Sequence, residues 1–202
     1  MSTCSFFQRL LNLSFVEDTM KMNPRGKVIL AVVTLVTVAA VVTFTARADD
    51  EDLITFRTRL TGFGEVPPKL ANGSGTFVGK LSSDGQSMSW TLTWTGLTGP
   101  AQVAHIHFGQ AQNTGTPVVF FCNGGNRPAP CPDGPGHSGT LTGTFSAADV
   151  VAVPSQNVSA GDFAGFVKIL RARLGYANIH TQLFPAGEIR GQLSVRHEDE
   201  ED

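Results

Sequence analysis

Between Met88 and Thr95 the chain alternates without a break: Met88, Trp90, Leu92 and Trp94 are separated by Ser89, Thr91, Thr93 and Thr95. A period of two sends one set of side chains to a core and the other to water, which only an extended strand achieves. The two tryptophans are therefore core or core-edge residues rather than a ligand platform. The same rhythm sets Ile54, Phe56, Thr58 and Leu60 against Thr55, Arg57, Arg59 and Thr61. Gly75 to Leu81 reads as a second strand, joined to the third by an Asp84-Gly85 hairpin turn. Val103 to Phe108, Pro117 to Cys122 and Thr140 to Phe145 follow as the fourth, fifth and sixth. Short strands between Gly-rich turns predict an all-β, antiparallel Greek-key sandwich or barrel.

One segment breaks the rhythm. Ser159 to Asp162 has the form of a helix start, and Phe163, Phe166, Val167, Leu170 and Leu174 then recur at helical spacing until Gly175. The pattern predicts one short helix crossing from one sheet edge to another. A briefer helical turn opens at Ser146 to Asp149 and is stopped by Pro154. The chain returns to strand at Tyr176 to Thr181, turns through 184 to 187, and closes with a strand from Glu188 to Leu193.

Residues 1–48 read as an address. Val28 to Thr45 is an uncharged, largely apolar run of 18 residues behind Lys21, Arg25 and Lys27, and Ala46-Arg47-Ala48 has the small-x-small form of a signal-peptidase site. Two readings stand: a signal peptide removed before Asp49, or a retained N-terminal transmembrane anchor. Both export the C-terminal part, giving a secreted or extracytoplasmic protein whose only membrane contact is that segment. Residues 49–52 then form an acidic linker, 53–194 a single domain, and 195–202 an acidic tail. Between the acidic ends the body carries ten basic against six acidic residues. The cations are scattered and not interleaved with aromatic residues, which argues against nucleic acid as a partner.

Cysteine usage agrees with export. Cys122 and Cys131 stand nine apart in a loop rich in Gly, Pro and Asn, a spacing that favours a disulfide closing a short loop. Cys4 lies in the address segment. No Gly-x-Ser-x-Gly, reactive cysteine, paired catalytic carboxylate, phosphate loop or dinucleotide fingerprint occurs, so the reading is not an enzyme.

His105 and His107 stand two apart on the fourth strand, so their imidazoles emerge on one face, and His180 lies on a later strand with Tyr176 and Asn178. If those strands are neighbours, three imidazoles converge, a set suited to Cu or Zn. Equally, the rings can bond to backbone, to Asn178 or to Glu188 in a structural cluster. Glu188 and Arg190, at i and i+2, read as sharing a face, where they either pair with each other or with a facing strand or act on a substrate, Glu188 then as a general base. His137 and His197 read as solvated.

Two segments carry a family resemblance. Ala104 to Gly109 and Tyr176 to Leu193 resemble the two signatures of the CHRD domain, the module first named from chordin, over about residues 53 to 194. The resemblance implies an all-β, immunoglobulin-like or Greek-key barrel found in extracellular animal proteins and in exported bacterial ones, with no enzymatic reaction attached. The signature positions are His105, His107, Asn178, His180, Thr181, Pro185, Gly187, Glu188, Arg190 and Gly191. The histidine pattern is also similar to that of Cu/Zn superoxide dismutase, whose remaining ligands have no counterpart here. Two functions remain open. One is a non-catalytic structural or binding module presenting the 109–116 and 122–138 loops to an extracellular protein or glycan. The other is a Cu- or Zn-binding protein using the three histidines, with Asn178, Thr181, Glu188 and Arg190 as the surrounding cluster.

Overall fold

The computed structural model describes residues 54–196. The signal or anchor segment, Cys4, the 49–52 linker, His197 and the acids from 198 onward lie outside the described residues. The strands are β1 (Thr55–Thr61), β2 (Ser74–Leu81), β3 (Met88–Thr95), β4 (Ala101–Phe108), β5 (Thr116–Cys122), β6 (Gly139–Phe145), β7 (Gly175–Thr181), β8 (Ile189–Gln192) and β9 (Ser194–Arg196). Among the described residues these form one antiparallel sheet, ordered β5-β4-β7-β8-β1-β2-β3-β6, with β9 also on β1. The sheet curls into a nearly closed barrel whose unpaired edges are β5 and β6. The ladder does not divide into two sheets from which an immunoglobulin-like sandwich could be read.

Register explains the composition of β2, β3 and β6. Trp94 lies between Gly75 and Gly139, and Trp90 between Gly79 and Gly143. A Cβ on Gly139 would stand 2.2 Å from the Trp94 ring, and one on Gly143 would stand 2.7 Å from that of Trp90. The strands flanking each indole therefore give up their inward side chains to make room for it. Phe121 and Phe145 pack against Trp90 at centroid distances of 4.9 Å each, and Phe56, Leu60, Phe77 and Met88 complete the interior without exposure. The outer face of these strands carries Thr76, Thr91, Thr140 and Thr142, as the alternation requires.

The helix α1 (Phe163–Arg171) buries Phe163, Phe166, Val167, Ile169 and Leu170. Its N-cap is Asp162, whose carboxylate accepts from the Gly165 N–H at 2.8 Å. It leads from edge strand β6 to β7, which pairs with β4 and β8 inside the sheet, so the expected edge-to-edge crossing is not the path taken. The Ser146 to Asp149 motif is a 3-10 turn with a capping box, followed by a second at Pro154–Gln156. The closing strand is also shorter than its sequence reads. Leu193 turns inward, its N–H bonded to the Gly175 carbonyl at 2.9 Å, and β9 starts anew beside β1. No helix among the described residues is long and apolar enough to cross a membrane. Cys122 and Cys131 are joined by a disulfide that anchors the 123–130 loop.

The tryptophan–glycine register yields a direct test. Gly139→Ala places a methyl into the Trp94 ring and is expected to cost about 1–3 kcal/mol in urea denaturation, whereas exposed Thr142→Ala should change stability by less than about 0.5 kcal/mol. Equal effects would contradict this packing.

Candidate metal centre

β4 and β7 are paired with Val103 opposite His180, His105 opposite Asn178, and His107 opposite Tyr176. Cross-strand partners share a face, so these side chains form one array. The opposite face of the same strands presents Ala104, Ile106, Ala177 and Ile179, all completely buried in the barrel core. The histidines therefore lie on the outside of the barrel, yet His105 and His107 are only 4% and 8% exposed. A second layer covers them, built from the segment after β1, the 109–115 loop and the 182–188 turn.

That layer is held by identifiable bonds. His107 Nδ1 meets the Gly115 carbonyl at 2.9 Å, while the Gly115 N–H donates to the Tyr176 hydroxyl at 2.9 Å. A Cβ on Gly115 would fall 2.0 Å from the Phe108 carbonyl oxygen, so only glycine passes there. Arg190 Nη2 donates to the carbonyls of Gln110, Ala111 and Asn113 at 2.8, 3.1 and 3.0 Å. Its guanidinium lies 3.4 Å above the Tyr176 ring, and that ring stacks on His107 at 4.5 Å with 8° between planes. Asn178 donates to Glu65 Oε1 at 2.5 Å and to the Ile189 carbonyl at 3.1 Å. Gly187, at φ +121°, lies against this pair, and a Cβ on it would stand 2.5 Å from Glu65 Oε1.

The imidazoles themselves are in contact. His105 is 4.3 Å from His107 and 4.7 Å from His180 between ring centroids, and one nitrogen from each ring lies within 4.8 Å of the others. The bonds of His107 Nδ1 to Gly115 and of His180 Nδ1 to the Pro185 carbonyl, also 2.9 Å, assign the tautomers, because a carbonyl only accepts. Both Nδ1 atoms carry hydrogen, leaving Nε2 of each ring as a bare lone pair. His107 Nε2, His180 Nε2 and His105 Nδ1 are all buried without a hydrogen-bond partner. A ring nitrogen fixed by a backbone carbonyl on its far side is the usual support of a metal-ligating histidine.

Electrostatics keep the rings neutral. Burial, reinforced by the neighbouring His107 and His180, pushes His105 down to about 2. Burial takes His107 down to about 4 against the opposing pull of the Gly115 carbonyl, and lowers His180 likewise against that of Pro185. Burial also raises the Glu65 carboxyl, opposed by its bond from Asn178 and by the Arg190 charge.

The other expected residues divide. Asn178 and Arg190 belong to the histidine face, whereas Thr181 and Glu188 do not. Glu188 accepts from the Thr98 N–H and hydroxyl at 2.9 and 2.7 Å and from the Thr181 hydroxyl at 2.6 Å, at one end of the barrel. The expected Glu188–Arg190 pairing on one face is thus corrected. The ladder begins at Ile189, so Glu188 is not bound to strand alternation, and Arg190 spends its donors on loop carbonyls. His137 is half-exposed beside Asp133, 3.0 Å away. Glu65 and Phe120, whose ring meets His105 edge-on at 5.3 Å, escape sequence reasoning. The only signal for Glu65 is the Gly64-Glu65-Val66-Pro67-Pro68 turn, where no alternation tells which way a side chain points.

These depressed values make acid destabilising. The unfolded chain binds protons at the ordinary histidine value of 6.5, the folded one only far lower, so stability is complete above that value and falls as pH drops toward 4. His107 alone should account for about 3 kcal/mol by pH 4. Urea denaturation at pH 7, 5 and 4 is expected to show a fall that shrinks in His107→Gln; the same slope in both proteins would contradict the assignment.

Comparison with curated proteins gave no match, and neither did comparison with solved structures. The family model for the CHRD domain does match, over residues 56–193, which takes in β1 from Phe56 onward, all of β2 to β8 and both histidine segments. The chain belongs to the CHRD domain family.

Proposed function

We propose that this CHRD domain is an exported, non-catalytic binding module whose ligand is a single Cu or Zn ion held by His105, His107 and His180. One observation carries the reading: three neutral imidazoles, each with a buried nitrogen that has no hydrogen-bond partner, offer ring nitrogens within 4.8 Å of one another. Buried polar atoms are ordinarily satisfied, and three orphans on one cluster leave about 1–3 kcal/mol each uncompensated unless an ion or water joins them. On binding, donors within 4.8 Å of one another would close to about 2.0–2.1 Å from a common ion. Asn178, Tyr176 and Arg190 position these ligands; they do not themselves coordinate.

A second reading, presentation of the 122–138 loop to an extracellular glycan or protein, is favoured by a separate feature. A groove of about 740 Å³ runs between residues 132–134 and the outer sheet face, lined by Arg59, Thr76, Thr93, Asp133 and Thr140.

Purified without added metal, the protein is expected to carry or take up about one equivalent of Cu or Zn, and a ligand at a hundred times its Kd should add about 2.7 kcal/mol of stability. His107→Ala should remove that gain. An unchanged melting temperature on adding either metal to the wild type would sink the metal reading and leave the groove as the functional surface.

A further inference from the structure

The metal reading leaves the ion's charge open, and the surroundings of the three nitrogens bear on it. We infer that the site is built for monovalent copper rather than for a divalent ion, an inference that rests on the metal reading above.

The first ground is the donor set. Among the described residues the cluster that can hold an ion contains three histidines and no carboxylate or thiolate. Of the buried carboxyls, Glu65 is engaged by Asn178, and Glu188 is occupied by Thr98 and Thr181 at the barrel end. A divalent ion would therefore keep its full charge after binding, because neutral imidazoles cancel none of it.

The second ground is burial. Each of the three rings has a nitrogen inaccessible to solvent, Phe120 meets His105 edge-on, and Tyr176 lies flat on His107. The cost of moving an ion from water into such surroundings rises with the square of its charge, so a dication suffers about four times the penalty of a monocation. Arg190 stacks on the far side of Tyr176, which places a fixed positive charge behind the ligand ring, with the Glu65 carboxyl, itself held by Asn178, as its counter-charge.

The third ground is coordination number. Zn²⁺ in a three-histidine site takes a fourth ligand, commonly water. Here the Arg190 clamp on the Gln110, Ala111 and Asn113 carbonyls and the two bonds of Gly115 cover one side of the cluster, and among the described residues no fourth side chain joins it. A monovalent copper ion is complete with three nitrogens. The protein's part would then be to present three buried, neutral nitrogen donors.

The test measures both affinities on the wild-type protein: Cu⁺ anaerobically, by competition with bathocuproine disulfonate, and Zn²⁺ by competition with a fluorescent chelator. Cu⁺ is expected to bind at one equivalent and at least about a hundredfold more tightly than Zn²⁺. His180→Asp, which exchanges a neutral donor at the least buried ligand for an anionic one, should narrow that ratio by at least about tenfold. Zn²⁺ binding as tightly as Cu⁺, or a ratio unmoved by His180→Asp in a protein that still folds and binds, would overturn this inference while leaving the metal reading intact. Binding of neither ion would remove both.

Discussion

The pairing of β4 with β7 is the constraint on which the rest depends. With Val103 opposite His180 and His107 opposite Tyr176, one face of the ribbon receives Ala104, Ile106, Ala177 and Ile179, and the other receives every side chain of the candidate centre. A slip of one residue would exchange the two faces, driving imidazoles into the barrel and aliphatic groups out of it. The core thus fixes the centre: apolar packing on the inside determines that the histidines converge on the outside.

An outward face is normally wet, and the unusual feature is that this one is not. The large apolar side chains of the loops that cover it, Phe63, Leu70 and Leu183, are exposed, and directed bonds hold the loops: three carbonyls on Arg190, both polar groups of Gly115, and Glu65 on Asn178. Such a lid costs about 1–2 kcal/mol of backbone entropy per ordered residue, and it buries imidazoles whose nitrogens remain unsatisfied. Stability alone would be served better by apolar residues at these positions. An arrangement that costs stability and fixes tautomers at the same time is the expected mark of a site shaped by its ligand.

Much of this was legible in the chain, for reasons that can be stated. β3 reads directly because a half-buried strand in an antiparallel sheet imposes a strict period, and His105 and His107 share a face for the same reason. The family signatures placed His180 with them. What escaped was decided by tertiary contacts. The break between β8 and β9 arises because Leu193 is drawn into the core beside Gly175. Glu188 leaves the face of Arg190 because it precedes the ladder. Glu65 was invisible because an aperiodic Gly-Pro turn carries no information about burial, although its carboxylate is one of the bonds closing the lid.

The central claim is that one ion is shared by three imidazoles, and X-ray absorption at the copper edge tests it most directly. Protein loaded with one equivalent of Cu⁺ is expected to show three nitrogen scatterers at about 2.0 Å, with the outer-shell signature of imidazole rings; that pattern should be lost in His107→Ala. A shell of oxygen atoms without imidazole scattering, or a spectrum unaffected by the substitution, would place the metal elsewhere and contradict the account.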